Sequence, residues 1–354
     1  MLKNYKFAEI GDYVLFGRNL ITDEGLSLFW SGSGVEFRAA ARNLYVSIDC
    51  MYGSMELMLD IIIEGERTQK LALKKGSGLY QVFEGMNPDK PVKVRIVRDT
   101  QNMPDEKESY LIVKGFETDG VFKEAPEYNY NIEFIGDSLT SGEGCGLTRR
   151  DEWIPVVFDA VRNYTYMTAE ILKAQYQVIS QSGWGLYASW DANTNNVLPD
   201  YYEQICGTTN DSKCIGLGAH EKWDFSSVEM DAVVINLATN DSTALKTGKF
   251  KEKEFISGFK SKAVDFLTTI RRKNPSCVIV WAYGMLGNDM EPLITEAINE
   301  YKAKSSDSRV EYLRLPEATQ NKLGARWHPT PEAHADAAGV LADFMQSIQA
   351  FMLR

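Results

Sequence analysis

Residues 131–144 read NIEFIGDSLTSGEG. A short apolar run at 132–135 stops abruptly at Gly136-Asp137-Ser138. A run of this length, ended by turn residues, suits a buried strand. Gly136 gives room for a tight turn, and Ser138 is presented at the strand's end. Taken alone, Gly-Asp-Ser is also ordinary turn chemistry, so its meaning depends on the rest of the chain.

After about residue 125, where KEAPEYNYN reads as a linker, strand signals alternate with helical ones. Residues 164–176 have helical apolar spacing, and QVIS at 177–180 is a strand. DAVVINLA at 231–238 is a buried strand. Phe255, Phe259, Ala263, Phe266, Leu267 and Ile270 recur at the spacing of an amphipathic helix over 252–273. A strand at 277–284, a helix around 290–304 and a strand at 309–315 come next. The last helix opens at Thr330-Pro331-Glu332, with Thr330 as N-cap, Pro331 at the first helical position and Glu332 near the positive dipole end. This alternation predicts an open parallel sheet covered by helices on both faces. Sites in such sheets lie beyond the carboxyl ends of the strands, and Ser138 lies beyond one.

The first third is different. Runs at 12–17, 34–40, 43–49, 55–65, 78–85, 90–99 and 109–117 are short, rich in β-branched and aromatic residues, and separated by Gly, Asn, Asp and Pro. They predict a β-sandwich or jelly roll. The 354 residues suit two domains: an all-β accessory domain at 1–125 and an α/β domain at 126–354.

Composition narrows the function. The chain is 44% hydrophobic, so it can build a sizeable core, and carries a net charge of −11. That balance argues against nucleic acid or an anionic membrane as partner. Charged residues interrupt every apolar run near the N-terminus, and no stretch has the length of a membrane span, so a cytoplasmic location is expected. Cys50, Cys145, Cys206, Cys214 and Cys277 are odd in number with no C-x-x-C pair, the pattern of reduced thiols.

A nucleophilic serine needs a base, and the chain has only three histidines. His220 lies in a polar insertion away from any predicted strand end. His334 falls within the last helix. His328, in ARWHPTPEAH, occupies the loop between the last strand and that helix, and Pro329 holds it extended. It is the best base by position. Acyl transfer also needs oxyanion donors. The N–H of Gly183, in ISQSGWGLY, and the side chain of Asn240, in NLATND, both come after predicted strands. Gly287-Asn288-Asp289 also comes after one, but Asn240 fits its motif better.

Together these residues resemble the SGNH, or GDSL, hydrolase superfamily: Ser in G-D-S, Gly after the second strand, Asn in G-x-N-D and His in D-x-x-H match Ser138, Gly183, Asn240 and His328. The match covers roughly residues 130–354 and implies a three-layer α/β/α fold. With the N-terminal jelly roll, the chain resembles carbohydrate esterase family 2. VLFGRN, LFWSGSGVEFRA, KWDFSSVEMDAVVINLATND and WHP carry that resemblance. It implies removal of O-acetyl groups from plant polysaccharides and oligosaccharides, with no metal or organic cofactor. The chain resembles gut-bacterial members that act on acetylated mannan or xylan fragments. Ser138 would then form an acetyl intermediate, with His328 as base and acid and the N–H groups of Ser138 and Gly183 beside Asn240 as the oxyanion hole.

Two positions depart from the pattern. Ala238 replaces the glycine of G-x-N-D, and Ala325 stands where the superfamily has its aspartate. Some family members are similar in this respect and use a Ser-His dyad, a backbone carbonyl orienting the imidazole. Asp224 and Glu332 are the carboxylates that could substitute. The aspartate's role is large in serine proteases, where disrupting it costs about 10⁴-fold.

Trp327 beside His328 and Trp184 beside Gly183 are the expected sugar-stacking residues. Trp190 and Trp223 flank the insertion at 191–222, which is expected to form a surface wall. The expected partner is an acetylated oligosaccharide. Two other functions fit less well: a lipid or thioester hydrolase, which needs an apolar channel that these polar loops do not offer, and a non-catalytic carbohydrate-binding protein that has lost its acid.

Overall fold

The structure, a computed structural model, describes residues 1–146 and 153–352. They form two compact units: residues 1–128 with 154–156 and 204–223 make the first, and the rest make the second.

The first unit holds two six-stranded antiparallel sheets. One runs in the order Leu20–Thr22, Gly25–Ser27, Ser109–Thr118, Leu44–Tyr52, Gly76–Phe83, with Lys3–Lys6 also paired to Ser109–Thr118. The other runs Val121–Lys123, Gly34–Ala40, Val92–Arg98, Met58–Ile63, Glu66–Ala72, with Val14–Phe16 also on Gly34–Ala40. Alternation along the strands sends one face inward: Leu44, Val46, Ile48 and Cys50 are all buried. They meet Val35, Phe37, Leu59, Ile61, Val94 and Ile96 of the other sheet in one core, the packing of a sandwich.

The strand expected over 55–65 ends at Ile63. Glu64 and Gly65 both take positive φ, 53° and 86°, and turn the chain back into Glu66–Ala72. The sequence hides that strand because it is polar: ERTQKLA lies at a sheet edge and, among the described residues, pairs only with Met58–Ile63. Nor is the whole insertion a free-standing wall. Its part at 204–223 belongs to the first unit. Trp30 Nε1 donates to the Ile205 carbonyl (2.8 Å), the Ser109 N–H to Asp211 Oδ2 (2.9 Å) and Asn102 Nδ2 to Thr208 Oγ1 (3.2 Å). Buried polar groups of the sandwich need partners, and this segment supplies them. All five cysteines are buried.

In the second unit five parallel strands, β1 (Tyr130–Gly136), β2 (Ala174–Ser180), β3 (Ala232–Asn236), β4 (Val278–Tyr283) and β5 (Val310–Arg314), form one sheet in the order β2-β1-β3-β4-β5. The order reverses between β1 and β3, which is where such sheets open a crevice at their carboxyl edge. Gly136, Ser180 and Asn236 end their strands side by side.

The helices that matter here are α1 (Ser138–Ser141), α2 (Tyr164–Leu172), α3 (Thr239–Lys246), α4 (Glu252–Lys273), α5 (Glu291–Ser305) and α6 (Pro331–Ser347). α2 packs on α6, and α4 packs on α5. α4 buries the apolar stripe read from the sequence, with Glu252 and Glu254 in its first turn and Arg271, Arg272 and Lys273 in its last. α2 is shorter than the 164–176 expected. Lys173 adopts φ 51°, ψ 53° and ends it, so β2 starts at Ala174, earlier than QVIS. Thr330 occupies the N-cap of α6 with extended backbone, but its side chain makes no capping bond. Among the described residues no helix is long and apolar enough to cross a membrane.

Candidate active site

Gly136 closes β1 and Asp137 caps α1, its carboxylate accepting the Leu139 N–H at 3.1 Å. A Cβ at position 136 would lie 2.0 Å from Thr140 Oγ1 and 2.8 Å from the Asn236 carbonyl oxygen. Only glycine allows the strand to turn into the helix this tightly. Ser138 is therefore the first residue of a helix, where its N–H has no intrahelical acceptor, and it is 7% exposed.

His328 arrives from the loop before α6. The Gly324 N–H donates to the His328 carbonyl (2.7 Å), the His328 N–H to the Ala325 carbonyl (3.1 Å) and the Thr330 N–H to the Lys322 carbonyl (2.8 Å), closing the loop on itself. Pro329 keeps His328 extended, at φ −90° and ψ 159°. Its Nε2 lies 2.8 Å from Ser138 Oγ, and its Nδ1 lies 2.9 Å from the carbonyl oxygen of Arg326. A carbonyl only accepts, so Nδ1 carries the proton and Nε2 is free to accept that of Ser138.

The carbonyl comes at the cost of backbone strain. Arg326 (φ 53°) and Trp327 (φ 62°) are successive non-glycine residues in the left-handed region. Ala325, at the expected aspartate position, is fully buried. Neither carboxylate considered as a substitute is brought to His328: Asp224 is held by Ser226 (2.6 Å and 2.9 Å) and Glu332 lies in the first turn of α6. A different carboxylate, Glu143, comes close, with Oε2 3.9 Å from His328 Nε2.

Gly183 has φ +80°, and its carbonyl accepts the Trp190 N–H at 3.0 Å. A Cβ there would lie 2.9 Å from the Trp190 ring, so that ring lies against the glycine. Asn240 is the second residue of α3. Its amide donates to the Trp184 carbonyl (2.9 Å) and to Asp137 Oδ2 (3.2 Å). Next to it, Asp241 accepts the N–H groups of Leu186 (2.8 Å), Tyr187 (2.7 Å) and Ala188 (2.9 Å), which fastens the Gly183 loop to α3. Ala238 caps α3 at φ 120°, a conformation suited to glycine. Burial pushes the carboxyl of Asp137 up to about 7 and that of Asp241 up to about 6, although backbone N–H groups pull each the other way. Asp137 also feels the nearby charges of Asp241 and Glu143.

The two tryptophans expected to meet substrate differ here. Trp327 is 54% exposed, beside His328. Trp184 is only 8% exposed and packs on Tyr201, ring centroids 5.1 Å apart. Its ring is a wall, and the open aromatic face on that side is Trp190, 60% exposed. Trp223 lies in the first unit, with the Arg18 guanidinium 5.6 Å above its ring.

The remaining histidines are engaged elsewhere. His220 bonds the Thr209 carbonyl at 2.9 Å. His334 is buried, accepts the Tyr164 N–H at 3.1 Å, and is pushed by burial, then by the charge of His328, down to about 3. Asp289 of the look-alike motif pairs with Lys246 and Ser242. Residue types and spacing did not reveal Glu143, Asp241 or the exposure of Trp190. Glu143 sits within the same stretch as Ser138, but no spacing rule sends its side chain toward residue 328.

The sequence pattern described as GDSL-like Lipase/Acylhydrolase matches residues 132–339. Over 99% of each chain, the structure is similar to an acetyl xylan esterase, Est2A, from the rumen bacterium Butyrivibrio proteoclasticus, with TM-score 0.95 and 34% identity. It is also similar to a family two carbohydrate esterase from Clostridium thermocellum in complex with cellohexaose, with TM-score 0.82, 23% identity, and 96% and 99% of the chains covered. The sequence is 24% identical over 342 residues, 94% of this chain and 88% of the other, to an acetylxylan esterase / glucomannan deacetylase of Cellvibrio japonicus.

Proposed function

The chain belongs to the GDSL-like lipase/acylhydrolase family, and we propose that within it the protein is a carbohydrate esterase of the family 2 type. It removes O-acetyl groups from hemicellulose-derived oligosaccharides. The observation that carries this reading is the 2.8 Å contact between Ser138 Oγ and His328 Nε2, with the Nδ1 proton held by the Arg326 carbonyl. The likeness to an acetyl xylan esterase over nearly the whole chain supports acetylated xylan as the first substrate to test, with acetylated glucomannan next.

In the proposed cycle His328 Nε2 takes the proton of Ser138 as Oγ attacks the acetyl carbonyl carbon. The tetrahedral oxyanion meets the N–H groups of Ser138 and Gly183. Asn240 adds a third donor by giving up its longer bond, the one to Asp137. The sugar oxygen leaves with the proton from His328, and Ser138 carries the acetyl group. Water then attacks that ester, His328 takes its proton, and acetate and free Ser138 result. Trp190 and Trp327 offer open ring faces for the sugar.

The test is acetate release from acetylated xylo- and manno-oligosaccharides by wild type, Ser138→Ala and His328→Ala. Release that both substitutions abolish is expected. Binding of the sugars without release would favour the non-catalytic reading. A rate that grows with acyl length would favour a lipid hydrolase.

A further inference from the structure

Glu143 has a place that no general feature of a Ser-His pair requires. It lies just beyond α1, and its N–H donates to the Ser138 carbonyl at 3.0 Å. Its side chain is buried, 5% exposed. Oε1 accepts Arg326 Nε at 2.6 Å, while Oε2 lies 3.9 Å from His328 Nε2. A single carboxylate thus reaches both the residue whose carbonyl holds the imidazole and the imidazole itself. The carbonyl of Arg326 faces His328 only because residues 326 and 327 are held in the left-handed region, and a strained turn keeps its shape only if its surroundings fix it. The Arg326–Glu143 pair is a side-chain bond that ties this turn to the segment after α1.

We propose that Glu143 is a positioning residue for His328, anchoring the Arg326 carbonyl with one oxygen and stabilising the imidazolium with the other. It replaces the aspartate absent at Ala325, from the opposite side of the ring. The proposal rests on the esterase reading. A buried carboxylate left alone would resist ionising. Burial does raise the Glu143 carboxyl, but the charge of His328, the hydroxyl of Ser182 and the guanidinium of Arg326 outweigh it and hold the group below the usual range. Among the described residues, the titratable and charged groups that face His328 are Glu143 from the segment after α1, Arg326 from its own loop and His334 from α6. Asp137 is close enough to Glu143 to feel its charge.

The experiment compares wild type, Glu143→Gln, Glu143→Asp and Arg326→Gln. It measures kcat and KM against pH, the thermal unfolding of each variant, and the low-field His328 Nδ1–H resonance, assigned with His328→Gln. Glu143→Gln is expected to lower kcat about 10–100-fold with KM within about twofold. Its acid limb of kcat/KM moves to lower pH, because the imidazolium loses a stabilising charge, and its Nδ1–H resonance broadens through exchange. Glu143→Asp restores part of kcat. Arg326→Gln broadens the resonance too, but does not move the acid limb downward. An unmoved acid limb and an unchanged resonance in a folded Glu143→Gln variant would overturn the proposal, whatever its kcat. If wild type releases no acetate, the esterase reading falls separately, while the resonance still reports whether Glu143 holds the ring.

Discussion

His328 donates its Nδ1 proton to the carbonyl of Arg326, two residues back in the same loop and 2.9 Å away. The acceptor is a peptide oxygen, so no side chain at position 325 is needed to set the tautomer. Adding one has two effects. It offers a second acceptor to a nitrogen whose single proton is already taken, and it puts a carboxylate where a methyl group is fully buried.

Ala325→Asp is therefore expected to leave kcat/KM within about threefold of wild type. It should lower stability by about 1–3 kcal/mol, the cost of a poorly satisfied buried polar group. Kinetics on acetylated oligosaccharide and a urea titration check it. A gain above tenfold in kcat would mean that the carbonyl is a poor orienter.

At Ala238 the strain has a simpler cure. The residue caps α3 at φ 120°, so the added methyl opposes the backbone that Asn240 depends on. Ala238→Gly is expected to raise stability by about 1 kcal/mol, the relieved strain less the extra chain entropy of glycine, with kcat unchanged or slightly higher. A drop in the unfolding midpoint would contradict this.

Trp190 and Trp184 separate binding from packing. Trp190→Ala removes an open face and should raise KM for acetylated oligosaccharides several-fold, with kcat and the hydrolysis of a small aryl acetate little changed. Trp184→Ala empties a packed position beside Tyr201 and should cost about 3 kcal/mol of stability. Equal effects of the two on KM would refute the distinction.

His334 should appear in acid unfolding. Its folded form is held neutral down to about 3, well below the ordinary value of 6.5. Between those values the unfolded chain binds a proton that the folded one does not, so stability present above about pH 6.5 is lost as pH falls. From pH 7 to 4.5 this one group should remove about 2–3 kcal/mol. His334→Asn, whose oxygen can still accept the Tyr164 N–H, should be less sensitive to that pH change than wild type. Parallel urea curves at the two pH values test it.

Sequence alone carried the fold far. Local pattern was enough for α4, whose apolar stripe repeats at helical spacing, and for the strands ending at Gly136 and Asn236, whose apolar runs are closed by turn residues. Strand ends in a parallel sheet share one edge, so the same pattern also assigned Ser138, Asn240 and His328 to one side. Local pattern failed for Glu66–Ala72, a polar edge strand defined by its neighbour, and for residues 204–223, whose place is set by distant polar groups.

What residue types and spacing determined, then, was the sheet, its carboxyl edge and the serine, glycine, asparagine and histidine gathered there, because each depends on a few neighbouring residues. The tertiary structure alone decided that the imidazole is held by the Arg326 carbonyl, that Glu143 reaches both, and that Trp190 rather than Trp184 offers an open face. Those facts depend on backbone torsions at 326 and 327 and on contacts spanning 183 positions between Glu143 and Arg326. Such contacts leave no periodic trace in a sequence, because they form only after the chain has folded.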